Sequence, residues 1–179
     1  MILQKLKKIV FTKKEHNTKK IKIILNNIIE TTCSDKFCKK LNISNTFNSR
    51  FELIIILVFL LYLRFKEDEK NKIKLQFLYD YLFEYVDFSL REIGTGDLSV
   101  GKKVKKMARI FSIRMKNYNE STSVKFLNIK KPIKKNIYKN KISQRYLDLF
   151  YIYINNQNKK LYTTPINKIF TKNFFKPPI

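Results

Sequence analysis

Apolar residues recur every three or four positions over most of this chain, and that spacing predicts helices. Ile21, Ile24, Leu25, Ile28 and Ile29 mark a first helix running to Cys38. The following LNISNTFNS carries Asn and Ser side chains suited to turns and caps. A second helix is expected from about Ser49 to Phe65, ending near the charged segment EDEK. Its centre, Leu53 to Leu63, is continuously apolar. A bilayer span takes about 20 such residues, and Glu52 and Arg64 close this run on both sides. The expectation is therefore a buried central helix.

From Lys72 to Ile93, the residues Leu75, Leu78, Tyr79, Leu82, Val86, Leu90 and Ile93 trace one face of a third helix without Gly or Pro. Another stripe of the same helix holds Asp80, Glu84, Asp87 and Arg91. It contains no histidine, and Arg91 sits one turn beyond Asp87, so it reads as a solvated, partly salt-bridged face. Val100, Val104, Met107, Ala108, Phe111, Met115 and Tyr118 mark a fourth helix, with Met107 and Phe111 as core residues. Its other sides carry Lys102, Lys103, Lys105, Lys106, Arg109 and Lys116. Pro132 interrupts the chain beyond Asn119. A further helix from Ser143 to Asn156 buries Tyr146, Leu149, Phe150 and Tyr153. No alternating run calls for a sheet. The fold class is all-α, a single-domain helical bundle with a buried apolar central helix. It divides into a basic arm at 1–20, a helical domain at 21–156 and a C-terminal tail at 157–179.

Between the third and fourth helices, REIGTGDLSVGKKVKK holds Gly94, Gly96 and Gly101, the only glycines of the chain. Gly96 to Lys102 spells G-x-x-x-x-G-K. A phosphate-binding loop of that pattern follows a strand and places Ser or Thr after the lysine to hold magnesium. Here a helix precedes it and Lys103 follows Lys102. The stretch is better read as a corner between helices, with the three glycines as loop residues. Gly94 ends the third helix in the left-handed region, and Asp97 or Ser99 caps the exposed amides of the fourth.

Composition changes this picture in one respect. The net charge is +24, from 38 Lys and Arg against 14 Asp and Glu, which suits an anionic partner such as nucleic acid or an acidic membrane. However, Ala108 is the only alanine, tryptophan is absent, and Lys, Asn, Ile, Phe and Tyr abound. That usage follows from A/T-rich codons, which place lysine on surfaces without selection for binding. Both explanations stay open. Cys33 and Cys38 have only His16 as a further soft ligand, so reduced thiols are expected rather than a metal site. No catalytic residue, cofactor, metal or small-molecule substrate is expected. The basic start of the chain lacks the apolar stretch and cleavage site of a secretory signal.

The segment DFSLREIGTGDLSVGKKVKKMARIF, Asp87 to Phe111, closely resembles the signature of the ubiquinol-cytochrome c chaperone family. There, Asp-x-x-Leu-Arg-Glu-Met-Gly-Val-Gly-Asp leads into a basic Lys-Lys-Met helix. Asp87, Leu90, Arg91, Glu92, Gly94, Gly96, Asp97, Lys102, Lys103, Lys106 and Met107 fall on it in register. Upstream, NTFNSRF resembles the family's Asp-Thr-x-x-Gly-Arg-Phe, with Thr46, Arg50 and Phe51 kept and Asn45 and Ser49 departing. Downstream, KKNIY and the terminal FFKPPI resemble further family elements, so the likeness runs from about Asn27 to the C-terminus.

The resemblance implies a non-catalytic assembly factor for the cytochrome bc1 complex, respiratory complex III. Its client would be cytochrome b or another bc1 subunit, with the ribosome or the inner-membrane surface as further contacts. Arg50, Asp87, Arg91, Glu92, Asp97, Lys102, Lys103 and Lys106 are the expected partner-binding residues. The bacterial cytoplasm, with peripheral contact to the inner membrane, is the expected location, and the mitochondrial matrix is the alternative. The alternative function, resting on charge, is a basic ribosome- or RNA-binding accessory protein.

Overall fold

The computed structural model describes the backbone of residues 2–66 and 69–178 and the side chains of residues 18–66 and 71–178. The first two residues of EDEK, and the side chains of all four and of His16, lie outside the described residues. Helices α1 (Ile2–Cys33), α2 (Asp35–Lys40), α3 (Phe47–Phe65), α4 (Glu69–Glu92) and α5 (Asp97–Thr122) come first. A 3-10 turn (Phe126–Ile129), α6 (Lys130–Asn136), α7 (Gln144–Thr163) and α8 (Ile166–Ile169) follow. Among the described residues there is no strand.

Helix α3 is the axis of the bundle, packed against α1, α4, α5 and α7. Every residue from Phe51 to Leu61 is buried, as a helix apolar on all sides must be. No helix of the described residues is long and apolar enough to cross a membrane. Thr46 caps α3, its hydroxyl accepting from the Ser49 N–H at 3.2 Å, so the helix starts two residues earlier than its apolar pattern suggests.

The first helix differs from expectation at both ends. Its backbone is helical from Ile2, and it stops at Cys33 instead of running to Cys38. Ser34 is the reason: in extended conformation, it caps α2 through its side chain. Periodicity runs through CSDKFC without a gap, so only the competition of a capping serine with the helix backbone marks the break. Cys33 and Cys38 are free thiols.

Pro132 does not interrupt a helix. It sits in the first turn of α6, where its missing N–H would have had no helical partner. Helix α7 continues to Thr163 and buries Leu147, Phe150, Tyr153, Ile154 and Leu161. Tyr146 and Leu149, expected inside, are only half-buried, because the buried stripe is rotated toward Leu147 and Ile154.

The C-terminal residues close the bundle. Phe174 and Phe175 are buried, and the Asn27 amide on α1 pairs with the Phe175 backbone. Asn27 Nδ2 donates to the Phe175 carbonyl at 3.0 Å and Asn27 Oδ1 accepts its N–H at 2.7 Å. Thr31 Oγ1 donates to the same carbonyl at 3.2 Å. These bonds satisfy a buried peptide group that has no secondary-structure partner.

Candidate site: the grooves around the α4–α5 corner

The corner is built by backbone hydrogen bonds. Gly94 has φ 84°; its N–H bonds to the Arg91 carbonyl at 2.9 Å, and the Thr95 N–H reaches the Leu90 carbonyl at 3.0 Å. This pair of bonds is the Schellman ending, with glycine at the left-handed position and Leu90 and Thr95 both buried beneath it. Gly96 then occupies the N-cap of α5 without a side-chain cap. Neither Asp97 nor Ser99 caps the helix: Asp97 lies inside its first turn, and the Ser99 hydroxyl donates to the Gly96 carbonyl at 3.0 Å. Gly101 is not a loop residue. It lies within α5, where an added Cβ would meet nothing within 4 Å.

The charges around the corner divide into two sets. Arg91 bridges it: Nε donates to Asp87 at 2.7 Å and Nη1 to Asp97, joining the end of α4 to the start of α5. The hydrogen bond that Arg91 donates to Asp87 is the main cause that raises the Arg91 pKa further. Lys103 Nζ donates to the Thr95 hydroxyl at 2.9 Å, and Arg50 Nε donates to Asn45 Oδ1 at 2.7 Å. Five of the expected partner residues, Arg50, Asp87, Arg91, Asp97 and Lys103, therefore have bonds within the protein. Glu92, Lys102 and Lys106 are exposed, Glu92 and Lys106 on the rims of grooves.

Three adjoining depressions surround the corner. The middle one, about 350 Å³, lies between Phe47, Arg50 and Phe51 of α3 and Tyr85, Phe88 and Ile93 beside α4. A second, about 520 Å³, shares Phe47, Phe51 and Ile93 and extends to Lys103, Lys106 and Met107 of α5. The third, about 540 Å³, shares Tyr85 and Phe88 and extends to Lys22, Leu25 and Ile29 of α1. Phe88 and Ile93 are thus the ridges between neighbouring grooves, and they are 61% and 60% exposed. Ile93 was expected on the buried face of α4. It instead follows the last helical residue, at the Schellman ending, and turns to solvent.

Beneath the second groove lies a pair that sequence reasoning passed over. Glu52, only 9% exposed, accepts from Arg114 Nε of α5 at 2.9 and 3.1 Å. Burial pushes the Glu52 carboxyl above its ordinary range, and Arg114 offsets this only in part. The signal was an acid at the edge of an apolar run; its partner 62 residues on could not be read from spacing. The same holds for Phe47, Phe51 and Phe88, whose grouping depends on the start of α3 meeting the end of α4.

These features define an all-α scaffold with solvent-facing apolar grooves rimmed by charge. Residues 39–176 match the family described as ubiquinol-cytochrome C chaperone. The chain belongs to that family. Its fold is similar to the crystal structure of the Cbp3 homolog from Brucella abortus, with TM-score 0.75 and 23% sequence identity over 97% of this chain and 94% of that one. A search of curated proteins found no match.

Proposed function

We propose that this protein is an assembly chaperone of the cytochrome bc1 complex that holds an apolar segment of immature cytochrome b in the corner grooves. The observation that carries the proposal is the exposure of Phe88 and Ile93 between three connected apolar depressions. An exposed apolar patch of this kind costs solubility unless something covers it. Covering each side chain stabilises a complex by roughly 1–2 kcal/mol, since burying such a residue fully is worth about 1.5–3 kcal/mol. That magnitude suits a holder that must also release its client.

The recognition mode is an apolar helix laid into a groove. Phe47, Phe51 and Met107 form the floor, while Glu92, Lys103 and Lys106 on the rims favour one orientation of a client segment with charged ends. Arg91 acts indirectly, by fixing the angle between α4 and α5 and so the width of the grooves. Family membership supports the bc1 complex as the destination.

The test is deletion of the gene in its host, followed by reduced-minus-oxidised spectra of membranes. Loss of b-type haem absorbance and of the intact bc1 complex is expected. Normal spectra with normal complex would refute the proposal. The exposed Lys102, Lys105 and Arg109 of α5 favour a second partner, ribosomal RNA. RNA binding no tighter than that of a lysine-matched unrelated protein would remove that reading.

A further inference from the structure

A second, larger cleft lies on the opposite face of α1 from the corner grooves. It encloses about 870 Å³ between α1, α2, α7 and the C-terminal segment. Five lysines from three separate parts of the chain converge on it: Lys36 and Lys40 from α2, Lys160 from α7, and Lys172 and Lys176 from the C-terminal segment. Among the described residues, Glu30 is the one acid in its wall. Codon bias accounts for many lysines, but it does not account for their convergence from distant positions onto one concavity.

The cleft is also amphipathic. Leu41, Leu149, Phe175, Pro177 and Pro178 line it, and Ile152 on its wall is 52% exposed. Lys160 is held in place: its ammonium donates to the Phe174 carbonyl and lies 4.3 Å from the centre of the Phe174 ring. Burial, and then the nearby Lys176, push the Lys160 pKa down, so an anion between the two lysines would relieve their repulsion. Tyr153 contributes a buried hydroxyl to the wall that finds no partner among the described residues.

We propose that this cleft binds an anionic phospholipid, its phosphate among the lysines and the start of its acyl chains against the apolar wall, and so docks the protein on an acidic membrane surface. Lysines acting as point charges, without an arginine fork, suit a phosphate approached from several sides better than a planar carboxylate. The apolar wall, two of whose residues are prolines without N–H donors, suits chains over a polar peptide. This site does not depend on the identity of the client, and its failure would leave the corner grooves untouched.

The experiment is vesicle co-sedimentation of the full chain with phosphatidylcholine alone and with added phosphatidylglycerol. Binding is expected only with phosphatidylglycerol. Each lysine near an acidic surface is worth about five-fold in affinity, so K36Q/K40Q/K172Q should weaken binding roughly 100-fold. The charge-matched control K134Q/K135Q/K141Q changes exposed lysines outside the cleft and should weaken it much less. Circular dichroism melts of both variants should overlay the parent.

Equal losses in the two variants would overturn the proposal in favour of net charge alone. A soluble short-chain phosphatidylglycerol, titrated by NMR, should shift amides of Lys36, Lys40 and Asn173. Glycerol phosphate or a hexaglutamate peptide binding there as tightly would overturn the lipid assignment, in favour of free phosphate or an acidic protein.

Discussion

The corner can be tested with two alanines that have opposite expected effects. At Gly94 the backbone has φ 84°, and a Cβ would meet no atom within 4 Å. Gly94→Ala therefore creates no clash, and its cost is the left-handed backbone alone, about 1–2 kcal/mol. At Gly101 the space around a Cβ is equally open, but the residue is helical. Gly101→Ala removes a glycine from a helix and should stabilise by about 0.5–1 kcal/mol. The two variants should thus differ by about 2 kcal/mol although both add one methyl group in open space. For a chain of this size each kcal/mol moves Tm by about 2–4 °C, so melts should separate them by about 4–8 °C, in order Gly94→Ala, parent, Gly101→Ala. Urea titration with unchanged m-values would confirm a stability effect. If Gly94→Ala matched the parent, the Schellman ending would not be what fixes the corner. If Gly101→Ala were destabilising, that glycine would serve something other than helix geometry.

Three further outcomes follow from the same reasoning. Asn27→Ala leaves the buried Phe175 N–H without its 2.7 Å acceptor and should cost about 1–3 kcal/mol by urea denaturation; a neutral result would mean the C-terminal segment does not dock on α1. Glu52 has a folded pKa raised above its ordinary 4.5, chiefly by burial, so the native state binds more protons there than the unfolded chain. Its contribution to stability is full below pH 4.5 and is lost as pH rises through the raised value. Glu52→Gln should accordingly make stability fall less steeply than in the parent as pH rises above that point, and a steeper fall would show that the Arg114 pair outweighs burial. Phe88→Asp and Ile93→Asp, at exposed ridge positions, should leave Tm near the parent value yet abolish complementation of a deletion strain; full complementation by both would move the client site elsewhere.

The sequence disclosed those parts of the fold that rest on local pattern. Helix α3 was legible because eleven apolar residues run between Glu52 and Arg64, leaving the choice between bilayer and core to length. The corner was legible because helical periodicity stops and restarts around glycine, and the same periodicity argued against a phosphate loop. What stayed hidden depends on contacts distant in sequence. Ser34 breaks α1 without disturbing the apolar period. Asn27 reads as an ordinary polar position until Phe175 arrives 148 residues later. The grooves arise because Phe47 and Phe51 at the start of α3 face Phe88 at the end of α4, and no spacing rule predicts that meeting. Of the expected partner residues, Asp87, Arg91, Asp97 and Lys103 carry bonds that shape the corner, and Arg50 bonds Asn45 at the start of α3. The apolar surface beside them, now the core of the proposed site, was not singled out from sequence.

The most direct test of that site is photo-crosslinking of the chaperone to newly made cytochrome b in cells. A photoreactive amino acid would replace Phe88 or Ile93, and, as control, Val124, an apolar residue 79% exposed outside the three corner grooves. Adducts containing cytochrome b from Phe88 and Ile93, with none from Val124, are the predicted result. Adducts formed equally from Val124, or none containing cytochrome b from either ridge position, would contradict the account.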